Sequence, residues 1–167
     1  MHNKYAGERV FILGTGPSLR DVDMSLLKDE MLWGVSGVHL WEGCPGLTFY
    51  SLADTARWQQ FADSAPAGAT KIGAHHGRAP VPGWYIVDRR MDRQMSEGWF
   101  NGKDEEFLWA AHAHSPVFEV AVQAAFWLGF SKVYLLGVDE NTGERVYGSG
   151  HTHSTAHLST LLPAAHT

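Results

Sequence analysis

Four apolar residues, Val10-Phe-Ile-Leu13, run directly into Gly14-Thr15-Gly16-Pro17-Ser18-Leu19. Two glycines without Cβ atoms let a backbone turn sharply and approach another group closely. Pro17 suits the first position of a following helical turn, where a missing N–H is not needed. Backbone N–H groups at such a strand-to-helix turn attract phosphate. The expectation is a nucleotide-binding corner built from Gly14, Thr15, Gly16, Pro17 and Ser18. A tight turn without a ligand is the plainer alternative. The spacing excludes two standard phosphate loops. A dinucleotide fingerprint needs glycine three residues after the second one, where this chain has Leu19, and the P-loop Gly-Lys-Ser/Thr is missing.

Two aspartates follow apolar runs in the same manner. Asp54 follows Leu47–Leu52, and Asp139 follows Lys132–Leu136 through Gly137-Val138. A carboxylate at such a place can bind a ribose hydroxyl or Mg²⁺. Helix capping competes for Asp54 and a turn contact for Asp139. Ser115-Pro116 before an apolar helical pattern reads as an N-cap whose N–H groups also suit a phosphate. The 10 histidines fall partly in pairs, including His151, His153 and His157. One of these is attractive as a general base, because imidazole titrates near neutrality. A structural metal site is the weaker alternative, since no cysteine lies nearby, and no metal is assigned.

These residues need a scaffold to bring them together, and the chain reads as a series of strands and helices. Val10–Leu13, Met31–Val35, Leu47–Leu52, Thr70–Gly73, Trp84–Val87 and Lys132–Leu136 read as strands, the last of them buried. A short helix after Pro17 and a helix over Thr55–Ala62 lie between them. Val117, Val120, Ala121, Ala124, Ala125 and Leu128 follow helical spacing, and Gly129 ends that helix. Strands alternating with helices predict a single α/β domain, Rossmann-like, with a mostly parallel sheet and helices on both faces. Residues 88–114, irregular and rich in charge, read as a lid-like insertion. Ligands in such sheets bind beyond the carboxyl ends of the strands, where Gly14–Ser18, Ser51–Asp54 and Gly137–Asp139 all fall.

Bulk properties narrow the class. At 167 residues the chain makes one domain. A net charge of −5 argues against a general nucleic-acid surface. The single cysteine, Cys44, excludes an internal disulfide and fits a reducing compartment. No stretch approaches the roughly 20 apolar residues of a membrane span. The start, Met1-His-Asn-Lys-Tyr-Ala, has no apolar signal core, so the expectation is cytoplasmic. The 7 tryptophans supply either core or a surface for stacking sugars or bases.

Two separated segments carry a family resemblance. Phe11-Ile-Leu-Gly-Thr-Gly-Pro-Ser-Leu19 with Val22-Asp23, and Ala125-Phe-Trp-Leu-Gly-Phe-Ser-Lys-Val-Tyr-Leu-Leu-Gly-Val-Asp139, resemble the bacterial sialyltransferases of glycosyltransferase family 42. They also resemble the related 6-hydroxymethylpterin diphosphokinase-like proteins. The similarity covers about a third of the chain, at its two ends, and residues 63–114 align with neither group. The first resemblance implies a CMP-sugar donor bound by the glycine turn and an unknown acceptor. It also implies a tyrosine assisting the departing phosphate at Tyr147, a histidine base at His153 or His157, and no required cofactor. Ser36 and Ser51 stand where that family has nucleotide-binding asparagines. Asn141 stands where it has a first tyrosine, and the chain ends at Thr167 without the closing helix that family has, as a fragment or minimal variant would. The second resemblance implies Mg²⁺ at Asp54 or Asp139 and phosphoryl transfer to a pterin or similar small molecule. A binding module without catalysis is the third reading, and a homo-oligomer is compatible with all three.

Overall fold

A computed structural model describes residues 1–75, 81–90, 109–111, 116–139 and 144–148, the side chains of 75, 88–90 and 109–111 excepted. Seven strands form one sheet: β1 (Arg9–Leu13), β2 (Leu32–Val35), β3 (Phe49–Leu52), β4 (Thr70–His75), β5 (Trp84–Arg90), β6 (Trp109–Ala111) and β7 (Lys132–Leu136). Their order is β6-β5-β4-β3-β2-β1-β7, and every pair is parallel. The expected α/β class is therefore observed. The register sets Leu13 beside both Gly34 and Leu136, so at the carboxyl rim β1 lies between β2 and the edge strand β7.

Alternation along the strands feeds two faces. Val10, Ile12, Trp33, Val35, Phe49 and Ile72 point into one core with Val117, Val120, Ala121, Ala124, Ala125 and Leu128. The latter six are the residues whose helical spacing marks them for burial, and all are 5% exposed or less. The first five lie on a π-helical turn, Val117–Ala121, that continues into α2 (Val122–Trp127), and Leu128 is its C-cap. Gly129 ends α2 at φ 92°, a left-handed conformation that glycine takes without strain. The other face packs Tyr50, Leu52, Trp58 and Phe61 beneath α1 (Thr55–Phe61), and Leu13, Leu19, Val38 and Val146 beneath the 3-10 turns Pro17–Asp21 and Ser36–Leu40.

The winding explains this division. From β1 to β6 the chain steps across the sheet in one direction, and right-handed crossovers put those connections on one face. The segment between β6 and β7 returns in the opposite direction, so its helix covers the other face. The reversal lies between β1 and β7, and that is where a parallel α/β sheet opens a crevice for ligands.

Four expectations need correction. The single helix after Pro17 is two 3-10 turns, Pro17–Asp21 and Met24–Leu27, because Val22 and Asp23 are extended. The insertion over 88–114 gives up both ends to the sheet, in β5 and β6; residues 91–108 and 112–115 lie outside the described residues. Strand β7 is at the sheet edge rather than buried, and Tyr134 and Leu135 are 40% and 39% exposed. The helix over 117–128 begins as a π turn, which brings Glu119 and Gln123 into the interior with the apolar positions.

Candidate functional site

The glycine turn and the segment after β7 meet at the carboxyl rim. Ser18 donates to Asp139 twice: its N–H to Oδ2 at 2.9 Å and its hydroxyl to Oδ1 at 2.5 Å. The Gly14 N–H donates to the Leu136 carbonyl at 2.8 Å, the Gly16 N–H to the Gly137 carbonyl at 2.8 Å, and the Leu19 N–H to the Gly16 carbonyl at 3.3 Å. The turn amides at 14, 16, 18 and 19 are thus occupied within the chain, and the Asp139 carboxylate sits at the start of the turn that Pro17 opens. This revises the physical basis expected for the corner. The amides at 14, 16 and 19 are held by backbone carbonyls, and a phosphate cannot take the Ser18 amide without displacing Asp139, whose like charge would repel it.

The glycines are required by this internal contact. A Cβ on Gly14 would lie 2.3 Å from the Gly137 carbonyl oxygen, and one on Gly16 would lie 2.2 Å from Asp139 Oδ2. Gly16 has φ −73°, which any residue adopts, so space and not conformation demands glycine there. Gly137 is constrained twice: its φ is 64°, and a Cβ would strike Leu19.

Residues 144–148 complete the rim. The Val146 N–H donates to the Thr15 carbonyl at 2.9 Å, and Arg145 Nη1 donates to Thr15 Oγ1 at 3.1 Å. Arg20 donates to Glu144 Oε1 at 2.5 Å and to the carbonyls of Arg145 and Val146. The Arg145 guanidinium therefore stands against Thr15, whose own N–H has no partner among the described residues, while Arg20 holds the 144–146 segment in place. Arg145 is the group that sequence reasoning missed. It lies 130 positions from Thr15, and only the pairing of Val146 with the turn reveals it.

Tyr147 lies beside this corner. Its ring meets Phe61 edge-on at 6.0 Å, and a Cβ on Gly37 would fall 2.6 Å from its Cζ. Ser36, at the end of β2, has φ 50°, a strained value for a residue with a side chain. The carbonyl of Ser36 accepts from the Tyr50 hydroxyl at 2.5 Å and from His39 Nδ1 at 3.1 Å, which leaves His39 Nε2 to accept from Ser64 Oγ at 2.8 Å. Burial keeps the Tyr50 phenol protonated well above its usual range. Burial likewise holds His39 below the ordinary 6.5, the bond to Ser36 opposing it. The Cys44 thiol is pushed up to about 11 by burial, which makes it a poor nucleophile.

The remaining candidates separate clearly. Ser51 is fully buried and accepts the Trp33 indole N–H at 2.8 Å, so its hydroxyl serves the core. Asp54 caps α1, Oδ1 accepting from the Arg57 N–H at 2.9 Å. Ser115, Asn141, His151, His153 and His157 lie outside the described residues. Asp54 and Asp139 follow β3 and β7, which two intervening strands hold on the order of 14 Å apart at the usual strand spacing. They cannot share one Mg²⁺, and among the described residues no three His, Cys, Asp or Glu side chains are grouped to hold a metal ion.

The fold and site together define a parallel α/β protein with a polar corner at its topological switch point. No family model, curated protein or solved structure matches the chain. Among the described residues no helix is long and apolar enough to cross a membrane.

Proposed function

We propose that the chain binds a nucleotide-sugar, with a CMP-sugar as the donor class, and acts as a sialyltransferase-like glycosyltransferase toward an acceptor that remains to be identified. One observation carries this: the Gly14–Ser18 turn, Asp139 and Arg145 converge where the winding reverses, although Ser18 and Asp139 are 121 positions apart. The donor phosphate is assigned to Arg145 and the Thr15 N–H, not to the occupied amides or to Arg20, which Glu144 already pairs. Each Asp139 oxygen keeps a further lone pair after accepting from Ser18, so it can take a ribose hydroxyl. Tyr147 supports the reading as the donor to a departing phosphate, since its ring is fixed between Phe61 and Gly37 beside the turn.

The occupied turn amides favour one second reading, a nucleotide- or sugar-binding module without turnover. Thermal denaturation with CMP, CDP and ATP, each with and without Mg²⁺, tests both. Stabilisation by CMP or CDP without metal supports the donor assignment, and release of free sugar or CMP from a CMP-sugar then separates the enzyme from the module. Stabilisation by ATP only with Mg²⁺ would remove the proposal.

A further inference from the structure

Arg57 is 6% exposed, yet its guanidinium has few partners. Nη1 donates to Gln60 Oε1 at 3.0 Å, and the Cζ atom stands 5.9 Å from the Phe61 ring centre. Among the described residues it has no other hydrogen bond and no carboxylate partner; the ion pairs are Arg9–Glu30 and Arg20–Glu144. Asp54, three residues earlier, turns its Oδ1 to the Arg57 backbone N–H. A guanidinium carries five N–H donors and stays charged at every ordinary pH. Burying that charge without a counter-charge is unfavourable, and buried cations in proteins are almost always paired.

The location gives the imbalance a use. Arg57 belongs to the first turn of α1, directly after β3, so it stands at the same carboxyl rim as the glycine turn. Phe61 touches both Arg57 and Tyr147. From these observations we infer that Arg57 is an anion-binding residue, which takes two oxygens of a ligand phosphate or carboxylate in its planar fork. This is a second contact for an anion, following β3 rather than β1, and it stands whether or not the ligand is a CMP-sugar.

The test uses the full chain, with inorganic phosphate and acetate as separate probes at ionic strength fixed with sodium chloride. Phosphate or acetate should raise the melting temperature of the parent, and the stronger of the two tells which oxyanion the site prefers. Arg57→Gln should weaken that anion roughly ten- to a hundredfold, the loss of a charge-assisted pair of hydrogen bonds. Its melting temperature without added anion should equal or exceed that of the parent, because an unpaired buried charge has been removed. Arg57→Lys, which keeps the charge but not the fork, should fall between. An undiminished anion response in Arg57→Gln overturns the inference, as does a parent that responds to neither anion. A large loss of stability in Arg57→Gln with the response intact would make Arg57 a packing residue. Should that variant not fold, the ¹⁵Nε resonance of Arg57 in the parent decides: it moves on phosphate or acetate titration, or the inference fails. Loss of CMP binding with the Arg57-dependent response intact would remove the nucleotide reading alone.

Discussion

At Gly16 a single missing Cβ allows a carboxylate from the far end of the chain to close on the first turn. Gly16→Ala forces Asp139 or the turn to move, so it should destabilise by about 1–3 kcal/mol, the usual range for overpacking, read from urea unfolding. A double-mutant cycle with Ser18→Ala and Asp139→Asn should give a coupling of about 1 kcal/mol, and additivity would show the contact to be idle. His39 makes a separate prediction. The folded protein holds it neutral by burial, below the ordinary 6.5, so the unfolded chain takes up its proton first as pH falls. Stability is therefore full above about pH 6.5 and declines below it until the folded His39 protonates as well. Melting temperatures between about pH 7 and pH 5 should fall less steeply in His39→Gln. For Tyr147→Phe, turnover of a CMP-sugar should drop more than affinity, and equal losses would assign the hydroxyl to binding only. Residue chemistry was only partly legible in the sequence. Ser18 and Asp139 stood out by type and position, but their bond to each other did not. Arg57 and Arg145 look like ordinary surface arginines until the fold buries one and sets the other against Thr15.

Among the elements, the helix over 117–128 was the most legible, because apolar residues at three- and four-residue spacing survive as a buried stripe even through the π turn. Ala124 and Ala125 are fully buried against the sheet, so Ala124→Leu should destabilise by about 1–3 kcal/mol while an exposed change such as Phe126→Gln stays within about 0.5 kcal/mol in the same urea assay. Strand β7 was legible as a strand but not as an edge. An apolar run of four residues, Val133–Leu136, reads the same whether helices or solvent lie beyond it, and only the strand order reveals exposed Tyr134 and Leu135. The short β6 was hidden in charged surroundings, where three residues carry too little periodicity to register. The 3-10 turn Ser36–Leu40 was missed for a related reason: its buried Ser36, Gly37 and Val38 have no helical spacing to announce them.

At the scale of the whole molecule, one topological fact organises the rest. The chain winds outward from β1 to β6 and returns to β7 on the other flank of β1, and the carboxyl ends of β1 and β7 carry the glycine turn and the segment ending in Asp139. Their adjacency follows from the winding and could not be read from spacing alone. Binding at that reversal can be located residue by residue with an amide ¹H–¹⁵N titration using CMP. Perturbations should concentrate at Thr15, Ser18, Arg145, Val146 and Tyr147. Amides at the opposite rim, such as Glu8, Thr48 and Ser131, should stay still. A spectrum unmoved by millimolar CMP, or one that moves only at the opposite rim, would contradict nucleotide binding at the junction of β1 and β7.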